Sequence, residues 1–169
     1  TAREWEEPGF PIYLPDGIVA PDYEAYSPAT NYGRVRLYTL SELQEAEEHG
    51  LIGWQDIVVV DAAPTDIGTV VAGVITGTQQ GELSHVNVRS LRRGTPNGYV
   101  KNATEVFAPY SGQLVKLILE ADRYEVVVPV ELADAEAWWT AHRPVLSPLP
   151  EPDDVYSELV SLPQLARVW

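Results

Sequence analysis

The chain has no cysteine and no methionine among its 169 residues. Without thiols there are no disulfides and no thiolate metal sites, while the compartment is left open. A cytoplasmic location is the default expectation. With no methionine even at position 1, the chain reads as a processed protein or an excised piece of a longer one. No apolar run reaches the roughly 18 residues needed to span a bilayer. Thr1–Pro8 lacks the basic-then-apolar pattern of a signal peptide. Positive charge is scarce too: 11 Lys and Arg against 25 Asp and Glu leave a formal net charge of −14. That sign argues against nucleic acid, whose phosphates demand a basic surface, and against anionic membranes. What is present is a globular composition, 45% hydrophobic and 21% charged, at a length that suits one domain with arms.

Proline is abundant, at 14 residues, and gathers near both ends. Pro8, Pro11, Pro15, Pro21 and Pro28 leave no room for a long helix in residues 1–32. This segment is expected to be an arm packing on the domain, with extended pieces such as Phe10–Leu14. Its tyrosines, Tyr13, Tyr23, Tyr26 and Tyr32, are read as burying against the core rather than stacking on bases. Pro144, Pro148, Pro150 and Pro152 mark residues 144–169 as a linker and tail, apolar at Leu159–Pro163 and Leu165–Trp169.

Residues 33–143 then form the domain. Hydrophobic periodicity predicts strands near 33–39, 56–61, 70–76, 97–101, 112–120 and 124–130. It predicts helices near 40–49, 84–93 and 131–143, and so an α/β fold. Ser41 is expected to cap the first helix with Gln44 at the capping-box position, and Gly50 to stop it. His49, and His142 with Arg143, fall at the C-terminal ends of their helices and read as dipole partners. Leu132, Ala135, Trp138 and Trp139 form a stripe that would pack the last helix on the sheet. Asp61 and Asp66 read as a strand end and a polar loop in preference to a magnesium pair. Asn102-Ala-Thr104 matches a glycosylation sequon, which carries no meaning without a secretory signal.

The stretch that organises the chain runs from Val70 to Asn97. Val70, Val71, Val74 and Ile75 suit a buried strand. Gly77 and Gly81 bracket a polar loop. Ser84 is a good N-cap, so a helix is expected to begin at His85 and to end at Gly94 and Pro96. The ring of His85 would thus sit in a first turn, where N–H groups are unpaired and the dipole is positive. Such an end favours a neutral, nucleophilic imidazole and would stabilise a phosphoryl group placed on it. Arg89 follows at i+4 and Arg92 at i+7, on or near the same face, with Arg93 beside them. A local cationic face on an acidic protein suits an anionic reaction partner. Position alone fits better a solvated arginine face and a histidine that merely caps its helix.

Leu83-Ser84-His85-Val86-Asn87-Val88-Arg89 resembles the phosphohistidine motif of the dikinase family. That family includes pyruvate phosphate dikinase, phosphoenolpyruvate synthase and the glucan, water dikinases, the last being the closer match. The Gly73-Val-Ile-Thr76 strand ending and the Gly94-Thr-Pro96 stop also look like this family. The loop lacks the family's common Gly-Gly-Xaa-Thr stretch, and Val86 and Asn87 replace two small residues. The resemblance covers roughly residues 33–130. It implies a swivelling β/β/α phosphohistidine domain. His85 would carry the phosphoryl group, with Ser84 and Arg89 beside it and Thr76 on the preceding strand end. It further implies an ATP-grasp partner domain, on the same or another chain, that holds ATP and Mg; this chain itself would hold no cofactor or metal. The acceptor would be a small molecule: pyruvate or a phosphoenolpyruvate-like compound, water, or glucan. The domain would not turn over alone. Two other readings stand beside this one: a non-catalytic docking or regulatory module of the same fold, and a sugar platform on Trp138 and Trp139. No Walker lysine follows the glycine loop, so no nucleotide site is expected within the chain.

Overall fold

The computed structural model describes residues 21–142. Phe10–Leu14, Tyr13, Arg143 and the tail 144–169 lie outside the described residues. Seven strands are present: β1 (Tyr23–Ser27), β2 (Ala29–Tyr38), β3 (Asp56–Val60), β4 (Gly73–Thr76), β5 (Asn97–Val100), β6 (Leu114–Leu119) and β7 (Tyr124–Val127). Four helices accompany them: α1 (Leu40–Glu48), α2 (His85–Arg93), α3 (Ala103–Phe107) and α4 (Leu132–His142).

The apolar run of β3 is buried at every position. A strand of that kind needs cover on both faces, and β3 has it as the middle strand of one sheet, ordered β1-β5-β4-β3-β2-β6-β7. Strands β2, β3, β4 and β5 run parallel, while β1, β6 and β7 pair antiparallel at the flanks. The two-residue period of the strands splits the core in two. Val58, Val60 and Val74 face Leu43 and Ala46 of α1 and Val86 of α2. Ile57, Val59 and Ile75 face the other way, toward Ala103 and Phe107 of α3.

The sheet is rolled around that second core. Strands β1 and β7 are its opposite edges, yet the rings of Tyr23 and Tyr124 meet with centroids 5.3 Å apart. The Tyr23 hydroxyl also donates to the Glu120 carbonyl at 2.7 Å. Phe107 fills the interior, stacked on Tyr124 and edge-on to Tyr110. Side chains bridge the two edges, while no backbone ladder joins β1 to β7 among the described residues.

The strand expected over 70–76 begins only at Gly73, leaving Val70 and Val71 outside it and Val70 exposed. The other expected strands and helices are present, with three further differences. The sheet begins at Tyr23, within the segment read as an arm. Pro21 and Pro28 flank β1 rather than interrupt it, and an edge strand tolerates them there. Second, α3 was not foreseen; a helix of one turn leaves no periodic signature. Third, Thr39 and not Ser41 caps α1. The Thr39 side chain accepts from the Glu42 amide, and the Glu42 carboxylate accepts from the Thr39 amide at 2.7 Å. Ser41 already lies inside the helix, so the box is Thr39/Glu42.

Helix α4 is mostly exposed and packs through Ala135, Trp138 and Trp139. Ala135 is fully buried, Trp139 donates its indole N–H to the Tyr32 carbonyl at 2.9 Å, and Trp138 lies against Tyr32. Leu132 stays exposed, so the apolar stripe is narrower than its spacing suggested. Among the described residues no helix is long and apolar enough to cross a membrane.

Replacing Phe107 by Ala should cost about 3–5 kcal/mol, because a large cavity opens where the sheet closes on itself. The check is the urea unfolding midpoint, with Val106→Ala on the exposed side of the same helix as the comparison; it should stay within about 0.5 kcal/mol of the parent.

Candidate functional site

Strands β3 and β4 end side by side, and the backbone there is crowded. A Cβ on Gly77 would run into the Asp61 backbone, and the Gly77 amide donates to the Val60 carbonyl at 2.8 Å. Only glycine lets the chain leave β4 along this line. The loop that follows climbs from Gly77 to Ser84 and delivers the chain to α2. Strand β4, α2 and β5 make one parallel crossover, so the start of α2 stands at the carboxyl end of the parallel strands, where α/β sheets commonly bind ligands.

Four buried polar side chains support that loop: Thr76, Gln80, Asn87 and Asn97. Asn97 and Gln80 exchange amide hydrogen bonds, Gln80 Nε2 to Asn97 Oδ1 at 2.7 Å and Asn97 Nδ2 to Gln80 Oε1 at 3.1 Å. Asn97 Nδ2 also donates to Asn87 Oδ1 at 3.3 Å. Gln80 Nε2 reaches the Thr76 hydroxyl, which itself donates to the Thr78 carbonyl. Asn87 Nδ2 closes the set on the carbonyls of Gly81 and Glu82. No buried side-chain nitrogen or oxygen among the described residues lacks a partner. From the β1 side, the Tyr26 hydroxyl accepts from the Gln80 amide at 2.9 Å and donates to Glu24. Burial pushes the Tyr26 phenol up to about 12; the Gln80 amide works the other way, and the nearby Glu24 carboxylate adds to the rise.

On this support Ser84 caps α2, as its position in the sequence predicts. Its backbone is extended and its hydroxyl accepts from the Asn87 amide at 3.3 Å. Gly94 ends the helix in the left-handed region, at φ +64°. His85 is the first helical residue, with its side chain 72% exposed. The amides of His85 and Val86 have no hydrogen-bond acceptor among the described residues.

Arg89 stands one turn on, as expected, but its guanidinium is already engaged. Nη1 contacts Asp66 Oδ1 at 3.1 Å and donates to the Ile67 carbonyl at 3.2 Å. Asp66 Oδ1 also accepts from the Ile67 amide at 2.9 Å. The other carboxylate oxygen, Oδ2, lies 3.9 Å from His85 Nδ1. Arg92 and Arg93 are exposed in the last turn.

The expected site residues therefore separate into two groups. Ser84, His85 and Arg89 come together at the start of α2. Thr76 is wholly buried, with its hydroxyl committed to the network beneath the loop. Asp61 accepts from the Leu40 amide at the start of α1, whereas Asp66 pairs with Arg89 and faces the histidine at 3.9 Å. The other two histidines lie at helix ends, His49 Nδ1 2.8 Å from the Glu45 carbonyl and His142 Nδ1 2.8 Å from the Trp138 carbonyl. His142 is also stacked on Trp138, with ring centroids 3.7 Å apart. Sequence reasoning did not single out Gln80, Asn87 or Asn97. The signal available was an Asn opening an otherwise apolar strand and a second Asn on the buried face of the helix.

No protein-family model matches this chain, and no curated protein matches it. The likeness to the dikinase motif is thus carried by the residues between Gly73 and Pro96 alone.

Asn97→Leu should destabilise the protein by about 1–3 kcal/mol for each buried group left unpaired on Gln80 and Asn87, read as a fall in the urea midpoint. A second outcome concerns the tyrosines. Tyr23 and Tyr26 are both raised from 10.0 to about 12. A raised folded value means their contribution to stability is complete below the unfolded value and is lost as pH climbs through the folded one. Phenolate absorbance should show late-titrating tyrosines, Tyr23 and Tyr26 among them with Tyr38 and Tyr124 also raised, and Tyr26→Phe should remove one of them.

Proposed function

We propose that this domain is the phosphoryl carrier of a dikinase-type phosphotransferase, with His85 accepting a phosphoryl group derived from ATP and passing it to an acceptor. The observation that carries the reading is the setting of His85: an exposed imidazole at the first position of a capped helix, beside two amides with no other acceptor among the described residues. A phosphoryl group on that ring would meet N–H donors and the positive end of a helix dipole. A covalent intermediate on histidine divides one difficult transfer into two easier ones. The fold we infer behind it is the swivelling β/β/α domain, supported by the strand end, glycine-bearing loop and capped helix in that order.

ATP and Mg would bind on an ATP-grasp partner domain, and the acceptor, whether pyruvate or a phosphoenolpyruvate-like compound, water or glucan, would be chosen elsewhere. A carrier of this kind has to dock in turn at a donor and an acceptor. Leu83 and Leu91 are 87% and 58% exposed near the histidine, and apolar side chains left bare beside a reactive group suit such transient contact. A cytoplasmic setting fits the ATP dependence.

Treating the full chain with phosphoramidate, a small phosphoryl donor, should place an acid-labile, base-stable phosphate on His85 well before His49 or His142. His85→Ala should abolish this fast labelling while His49→Ala leaves it intact. Equal labelling of all three histidines would overturn the carrier reading and favour the docking module.

A further inference from the structure

We propose that Asp66 is the positioning residue of His85, fixing its ring proton on Nδ1 and so leaving Nε2 as the nitrogen that takes phosphorus. The inference rests on the carrier reading for its chemistry but not for its geometry. Asp66 sits in the loop between β3 and β4, a segment with no helix of its own. Its carboxylate is only about one-third exposed and is oriented from one side. Oδ1 takes both the Arg89 guanidinium at 3.1 Å and the Ile67 amide at 2.9 Å. Arg89 is in turn held by the Ile67 carbonyl. With Oδ1 so occupied, Oδ2 is the oxygen turned toward the ring, 3.9 Å from Nδ1.

A neutral imidazole carries one proton on one of its two nitrogens, and the group facing the other nitrogen decides which. At 3.9 Å the pair is not hydrogen-bonded, but a negative oxygen facing Nδ1 favours the proton on that nitrogen. A small turn of the exposed ring would close the bond that carboxylates make to histidines that bind metals or act as bases. The lone pair is then on Nε2, the nitrogen away from Asp66. In the transfer, Nε2 bonds to phosphorus as the bond from phosphorus to the leaving group breaks, and that electron pair departs with the leaving group. The ring keeps its Nδ1 proton, and the positive charge it gains is met by Oδ2. A phosphoryl group on Nδ1 would instead be pressed against a carboxylate. Arg89 acts through Asp66 in this arrangement, as the clamp that aims it.

The test is the nitrogen-15 spectrum of His85 in the full chain at about pH 8.5, well above the ordinary imidazole value of about 6.5. The parent should show the proton on Nδ1. Asp66→Asn keeps the shape of the side chain and an oxygen for the Ile67 amide but loses the charge. It should shift the ring toward the Nε2–H form, with thermal unfolding and the backbone amide spectrum confirming the fold. Labelling by phosphoramidate should slow about tenfold, and Asp66→Glu should recover part of both effects. A parent ring already in the Nε2–H form, or one indifferent to Asp66→Asn, overturns the proposal even if His85 is labelled. A ring that responds to Asp66 but is never labelled leaves the positioning intact and removes the carrier reading.

Discussion

Four polar side chains are buried between a helix and a sheet, and they have to satisfy one another. That constraint governs the rest of the site. An unpaired amide at the depth of Asn97 would cost more than a typical surface contact could offset. So Gln80 has to reach in from the loop, Asn87 has to present its amide from the first turn of α2, and Thr76 has to turn its hydroxyl toward the Thr78 carbonyl. Each of these requirements fixes one point of the path from Gly77 to Ser84. The loop has few apolar anchors, so these hydrogen bonds set its course, and His85 stands where that path ends.

The same reasoning explains why Thr76 has a structural place. Val74 and Thr76 share a face of β4, and that face looks toward α2. A valine at Val74 meets Val86, while two residues later the facing surface is the polar loop, which needs a hydroxyl. The switch from apolar to polar along one face of a single short strand marks where the core ends and the site begins. Gly77, pressed against the Asp61 backbone, is the next step along the same line.

Most of the architecture could be read from the residues because it depends on local periodicity. The apolar runs of β3, β4 and β6, the Ser84 cap and the Gly94 stop follow from chemistry within a few positions of each residue. What could not be read depends on distant partners. Strand β1 is stable only because β5 pairs with it and because the opposite edge of the rolled sheet brings Tyr124 against Tyr23. Nothing near Tyr23 encodes that meeting. Asn97 and Gln80 are 17 positions apart, and Asp66 and Arg89 are joined across the whole of β4 and its loop. Spacing placed Arg89 near the face of His85, but could not show that a carboxylate from another loop had reached it first.

That prior engagement changes the electrostatics expected of a basic helix. Arg89, Arg92 and Arg93 taken alone would make a strongly cationic face. Arg89 is instead paired with Asp66, and the two remaining guanidinium groups sit in the last turn, where they complement the helix dipole. On the carrier reading this pairing matters. A free arginine beside phosphohistidine would stabilise the phosphorylated state and hinder onward transfer, since binding the intermediate tightly deepens the well from which the second step must climb. Backbone amides at the helix start supply weaker, directional donors that hold the group without trapping it. On that reading, an acidic protein whose Arg89 is already paired with Asp66 would take up an anionic group and give it away again.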